Sequence, residues 1–220
     1  MFARALKLLA ANWRIIVPGL VAGAVSAVVT AILGPTAQQD GLAGDVTWFL
    51  MSALQLIASI VAIAYTTGMA QAAWERGSAG FGDGFRAFSR DASHVFVAMI
   101  GMFVAGLLAV WLGRYTWGLG IAVYFFFFVY TMPAAVAGEL GGFHAMLESA
   151  RLALRKPLAT GVMLLVLGCI AIGVTVLSSF VYAAPLIGPL VVALLAQALI
   201  SYFVLVAVGE YLELRPALHA

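Results

Sequence analysis

Residues 161–182 read GVMLLVLGCIAIGVTVLSSFVY, with no charged side chain and no proline. A helix crosses the hydrocarbon layer of a bilayer in about 20 residues, and this run is long enough. Five more runs of the same kind lie at about 15–33, 47–70, 95–112, 118–137 and 189–209. Lipid offers the backbone no hydrogen-bond partners, so a spanning segment must be a helix or a strand of a closed barrel. A barrel needs alternating strands of about ten residues, and these runs are continuous and too long. The reading is an all-α integral membrane protein of one domain with six transmembrane helices. The apolar run at 15–33 follows Arg4, Lys7 and Arg14 as a signal peptide would, but no A-x-A site stands near Pro35-Thr36-Ala37, so it reads as a retained span.

Composition agrees. Of 220 residues, 65% are hydrophobic and 9% charged, and mean hydropathy is +1.10. Soluble proteins have roughly 45–50% apolar and about 25% charged residues, so both a soluble fold and a disordered chain are excluded. A net charge of +2 gives no basic face for nucleic acid. Cys169 is the only cysteine, which removes intrachain disulfides and thiolate metal cages. Nine arginines against two lysines, with abundant alanine and glycine, suggest a GC-rich bacterial source.

The basic residues orient the chain. Arg4, Lys7 and Arg14 precede the first span, Arg76, Arg86 and Arg90 fall in the second loop, Arg151, Arg155 and Lys156 in the fourth, and Arg215 follows the last span. Only Arg114 falls on the other side. The positive-inside rule then puts both termini in the cytoplasm of a bacterial inner membrane. Trp48, Trp111, Tyr115 and Trp117 mark the outer interface, Trp13 and Trp74 the inner one.

Three cytoplasmic segments have helical apolar stripes: 2–13 (Phe2, Leu6, Leu9, Trp13), 81–92 (Phe81, Phe85, Phe88, Ala92) and 143–156 (Phe143, Leu147, Ala150, Leu154). Their basic residues lie off the stripe, which suits helices resting on an anionic leaflet. Asp83 is the expected N-cap of the second, and Pro157 ends the third. The layout is three hairpins, each led by a basic amphipathic helix. Arg4-Ala5-Leu6 and Gly19 match Arg86-Ala87-Phe88 and Gly101 at one offset, as in an internal repeat; any hairpin bundle with positive-inside loops would also look alike.

Tyr130-Thr131-Met132-Pro133-Ala134-Ala135 closes the fourth span and leads into Phe143-His144-Ala145-Met146-Leu147-Glu148-Ser149-Ala150-Arg151-Leu152. A proline near the end of that span, then an amphipathic A-L-x-x-S-x-R-L helix with Met146 in the second place, resembles the bacterial glycerophosphoryl-diester-phosphodiesterase membrane-domain family. It is also similar to related small six-span proteins of unknown function. Phe81-Gly82-Asp83-Gly84-Phe85 resembles their preceding loop. The resemblance implies a membrane module. The catalytic barrel to which that family's membrane part can be fused has no counterpart in these 220 residues, so no catalytic residue carries over.

The chemical inventory is mostly negative. No ionisable residue lies deep in a span, which disfavours ion coupling. The neutral polar residues Gln55, Ser59, Thr66, Tyr130, Thr175 and Gln197 either hydrogen-bond between helices or, for Gln55, Gln197 and Tyr130, line a polar crevice. Gly19, Gly23 and Ala27 form a smooth strip for close helix packing, within the chain or across a homodimer. Pro18 and Pro133 interrupt spans as kinks or hinges. His144 and Glu148 share a face but make no metal site by themselves. No catalytic motif, cofactor site or metal site is expected. Two functions follow. One is a non-enzymatic module that associates with membrane phospholipids, a protein partner or another copy through Arg86, Arg90, Arg151, Arg155 and Lys156. The other is an uncoupled transporter, channel or lipid-translocating protein using the neutral crevice.

Overall fold

The computed structural model describes residues 1–113, 115–116, 119–181 and 188–215. Arg114, Trp117 and Pro185 lie outside the described residues. Regular structure among the described residues is helical: α1 (Phe2–Ala11), a 3₁₀ turn (Trp13–Ile16), α2 (Val17–Ala37), α3 (Leu42–Arg76), α4 (Phe81–Gly113), α5 (Leu119–Phe128), α6 (Thr131–Val136), α7 (Gly142–Arg155), α8 (Pro157–Val181) and α9 (Gly188–Leu214). Six segments are long and apolar enough to cross a membrane: Trp13–Ala37, Leu42–Arg76, Ala92–Gly113, Leu119–Val136, Pro157–Leu177 and Val191–Leu214. They coincide with the six spans read from the sequence. The chain is an all-α multi-pass membrane protein.

The helix breaks differ from expectation in three places. The 81–92 segment is not a separate helix but the first turns of α4, which runs unbroken for 33 residues. Nothing between Phe85 and Ile100 breaks a helix, whereas α1 ends at Asn12, in a non-helical conformation, and α7 is parted from α8 by Lys156-Pro157. Asp83 is not the N-cap of α4 either. It stands in the first turn and reaches back, its Oδ2 accepting the Gly80 N–H at 2.9 Å, the carboxylate half of a capping box. Pro18 makes no kink within an α-helix: it stands in the first turn of α2, where the first span changes from the 3₁₀ turn to α-helix.

The fourth span does break. Pro133 offers no N–H to the Val129 carbonyl, and α5 and α6 are parted at Val129–Tyr130. Beyond α6 the chain turns away over a widened last turn, with the Gly138 N–H on the Pro133 carbonyl at 3.1 Å and the Leu140 N–H on the Ala134 carbonyl at 3.2 Å. The left-handed position of that turn is filled by Glu139, at φ 57°, where glycine is usual. At the end of α3 the same role falls to Gly77, at φ 79°.

Burial is concentrated at the end of the bundle that carries the arginines. Ile15, Met69, Ala70, Ala73, Tyr130, Ala134, Ala135, Leu152, Met163, Leu205 and Tyr211 form one core there. In the opposite half, α5 has no buried residue and α2 only Gly34. Alanines at the core let helix backbones approach and gain dispersion contacts, the main source of helix association in lipid. The other half is apolar on all sides, and hydrocarbon solvates it as well as another helix would. Among the described residues, burial is dense at the basic end and sparse at the other.

Polar tethers lock the tight end. Asn12 Nδ2 donates to the Leu8 and Gly77 carbonyls at 3.0 and 3.2 Å, and its Oδ1 accepts the Ala79 N–H at 2.8 Å. Trp74 Nε1 donates to the Leu205 carbonyl at 2.7 Å, and the Arg4 guanidinium lies 4.5 Å above the Trp74 ring. These join α1, the α3–α4 turn and α9.

Candidate functional site

Helix α7 presents three faces. Gly142, Ala145, Ser149, Leu152 and Ala153 are buried against the bundle. The stripe of Phe143, Leu147 and Leu154 is not what docks the helix: these side chains are 65%, 55% and 63% exposed, as is Leu158 at the start of α8. Small residues dock because only they let α7 approach the broken span. Arg151, Arg155 and Lys156 are exposed along the border of the apolar stripe.

Ser149 is the docking pin. Its hydroxyl donates to the Phe127 carbonyl at 2.7 Å and accepts the Tyr130 N–H at 3.0 Å. It therefore splints both sides of the α5–α6 break, giving the Phe127 carbonyl and the Tyr130 N–H a partner where the helix ladder is interrupted. The Tyr130 hydroxyl is buried and 3.0 Å from Thr160 Oγ1, at the start of α8. Tyr130 thus belongs to this junction and not to a crevice.

Arg86 and Arg90, also expected to face lipid, stand on α4 and make ion pairs within the protein. Arg86 Nη2 lies 2.6 Å from Asp83 Oδ1, and Arg76 Nη2 lies 2.7 Å from the same oxygen. Hydrogen bonding to Arg76 holds the Asp83 carboxyl below the ordinary carboxylate range. Burial opposes this, and the Gly80 N–H and the two positive charges reinforce it. Arg90 Nη1 pairs with Glu139 at 2.9 Å and its Nη2 donates to the Val136 carbonyl at 3.3 Å. These pairs join α3, α4 and the exit of α6.

A second feature lies within the spans. A cavity of about 180 Å³ between α2, α3 and α9 is lined by Gly19, Gly23, Ser26, Ser59, Thr66, Gln197 and Ser201 among others. Gln55 stands beside it and turns toward α2, donating to Thr30 Oγ1 at 2.8 Å. The Gly19 strip meets α9 at its start, through Gln197. Gly19 gives its space to the Gln197 amide, while Gly23 and Ala27 are exposed.

Sequence reasoning missed Asn12, Ser149, Ser26 and Ser201. Asn12 could have been found as the first polar residue after an apolar stripe. Ser149 has no such signal, because its two partners lie in a different span. Comparison of the chain with protein-family models, with characterised proteins and with solved structures finds no match.

Proposed function

We propose that this is a non-enzymatic multi-pass protein of the bacterial cytoplasmic membrane, with both termini cytoplasmic, that holds anionic phospholipid headgroups along α7. The observation that carries the reading is the pairing on one helix of an exposed Phe143–Leu147–Leu154 stripe with exposed Arg151 and Arg155, continued by Lys156. An apolar stripe left uncovered by protein sinks into the leaflet, and a basic border then meets headgroup phosphates. The placement of basic residues supports the orientation, and the resemblance of 130–152 to a membrane-domain family points the same way. Arg86 and Arg90, paired with Asp83 and Glu139, lie off the α7 stripe and hold α3, α4 and the exit of α6 together.

Each basic side chain near an anionic surface contributes about 1 kcal/mol. Reversing three of them, in R151E/R155E/K156E, should therefore weaken phosphatidylglycerol binding by about a hundredfold or more. The binding is read from lipid-dependent melting of the purified protein and from the lipids that survive native mass spectrometry. R86E should leave it unchanged. A triple variant that retains wild-type preference for phosphatidylglycerol over phosphatidylcholine would sink the proposal.

A further inference from the structure

The cavity between α2, α3 and α9 plays no part in the α7 reading. Its lining residues all lie within the spans, at a depth where polar groups are costly unless satisfied. Yet the Gln197 carboxamide and the Ser26 and Thr66 hydroxyls make no hydrogen bond to any described residue. Ser59 and Ser201, also on the wall, are satisfied by backbone carbonyls of Gln55 and Ile15. Three unanswered polar side chains from three helices thus converge on one hollow. Gly19 keeps it open, since a Cβ there would meet Gln197 Oε1.

The lining defines the occupant. It contains no acid, base or histidine, so a charged group would find no counter-charge. A carboxamide beside hydroxyls offers both donors and acceptors, which suits hydroxyl or ester groups. The mouth includes the exposed Gly23, Ser59 and Ile200, on the flank of the spans, so entry is from the membrane plane and not from water. Around it are exposed apolar side chains of α2, α3 and α9, such as Val25, Ile57 and Ile200, which would lie alongside an alkyl chain. We propose that this cavity is a binding site for the uncharged hydroxyl- or ester-bearing head of a lipid.

The test uses the full chain in phosphatidylcholine nanodiscs and a monoacylglycerol with a diazirine close to its head. Photolabelled peptides are mapped by mass spectrometry. The expected result is labelling of peptides from 19–26, 59–66 and 197–204, reduced at least fivefold in Q197L. It should fall likewise in T66V, which removes one hydroxyl at nearly constant shape, and in G19A, whose methyl displaces the Gln197 amide. A lysophosphatidylglycerol with the same diazirine should not compete. Melting curves identify which variants fold, and T66V alone decides if the others do not. Absence of labelling, labelling indifferent to the folded variants, or equal competition by the anionic lipid would each overturn the proposal.

Discussion

Replacing Ser149 by alanine tests whether a side chain on α7 holds the fourth span together. The hydroxyl is fully buried and makes two bonds, accepting from Tyr130 N–H and donating to Phe127 carbonyl. Its loss leaves a buried amide without an acceptor and a part-buried carbonyl without its donor. An abandoned buried polar group costs about 1–3 kcal/mol, while interhelical hydrogen bonds in membrane proteins average about 0.6 and reach about 1.7 kcal/mol. Two such losses at one site sum to about 2–3 kcal/mol, a shift of roughly 30- to 150-fold in the folding equilibrium. The assay is reversible unfolding in mixed micelles of rising sodium dodecyl sulfate, followed by tryptophan fluorescence. The control is Thr175→Ala, since Thr175 is exposed and bonds only the Ala171 carbonyl of its own helix. That change should cost less than about 0.5 kcal/mol. If S149A lies within about 0.5 kcal/mol of wild type, or matches T175A, the splint is not what closes the break.

Three other outcomes follow from the same geometry. Glu139→Gly should be neutral or stabilising by up to about 1 kcal/mol, because relief of a left-handed conformation outweighs an exposed ion pair with Arg90; Glu139→Ala, which loses the pair and keeps the strain, should destabilise in the same unfolding assay. Because the Asp83 carboxyl titrates lower in the folded than in the unfolded chain, its contribution is complete above the usual carboxylate pKa of about 3.9 and fades as pH falls through the lower folded value. Melting temperature measured from pH 7 to pH 3 should therefore drop at the acid end in the wild type and drop less in D83N. Gly209→Ala drives a methyl into the Trp74 ring, which is pinned by its Leu205 bond and by Arg4. A loss of about 1–3 kcal/mol is expected, visible as a lower melting temperature, and an unchanged one would show that the ring can move.

The spans were legible because lipid leaves the backbone one solution, and continuous apolar runs report it directly. Their interruptions were less so. Pro133 signalled a disturbance, but the break falls four residues earlier, at the carbonyl that lost its donor. The 81–92 segment looked like a surface helix because its composition matches the other two, yet no residue there ends a helix, so it merges with the third span. The Phe–Leu stripe of α7 was legible as the side left for lipid, but which residues dock the helix in its place was not. In water a Phe–Leu stripe would pack inward; beside lipid it faces out, and glycine, alanine and serine turn inward. Arg90 looked available because Glu139 comes beside it only when α4 meets the exit of α6, whereas the Asp83–Arg86 pair, three apart on one helix, was within reach of a spacing rule. For the cavity, Gln197 stood out as an amide in a span, while its neighbours Ser26 and Thr66 come from two other helices and no spacing rule joins them.

The splint also sets an order of assembly. Synthesis runs from the N-terminus, so Phe127 and Tyr130 are made 22 and 19 positions ahead of the serine that bonds them. When the fourth span first enters the translocation machinery, its backbone carries a gap that nothing yet emerged can fill. The span acquires its native bonds only after α7 has been translated and has folded back from the basic side. The fourth span is therefore completed by a segment made after it, and a chain cut off before residue 149 would carry that span without two of its native bonds.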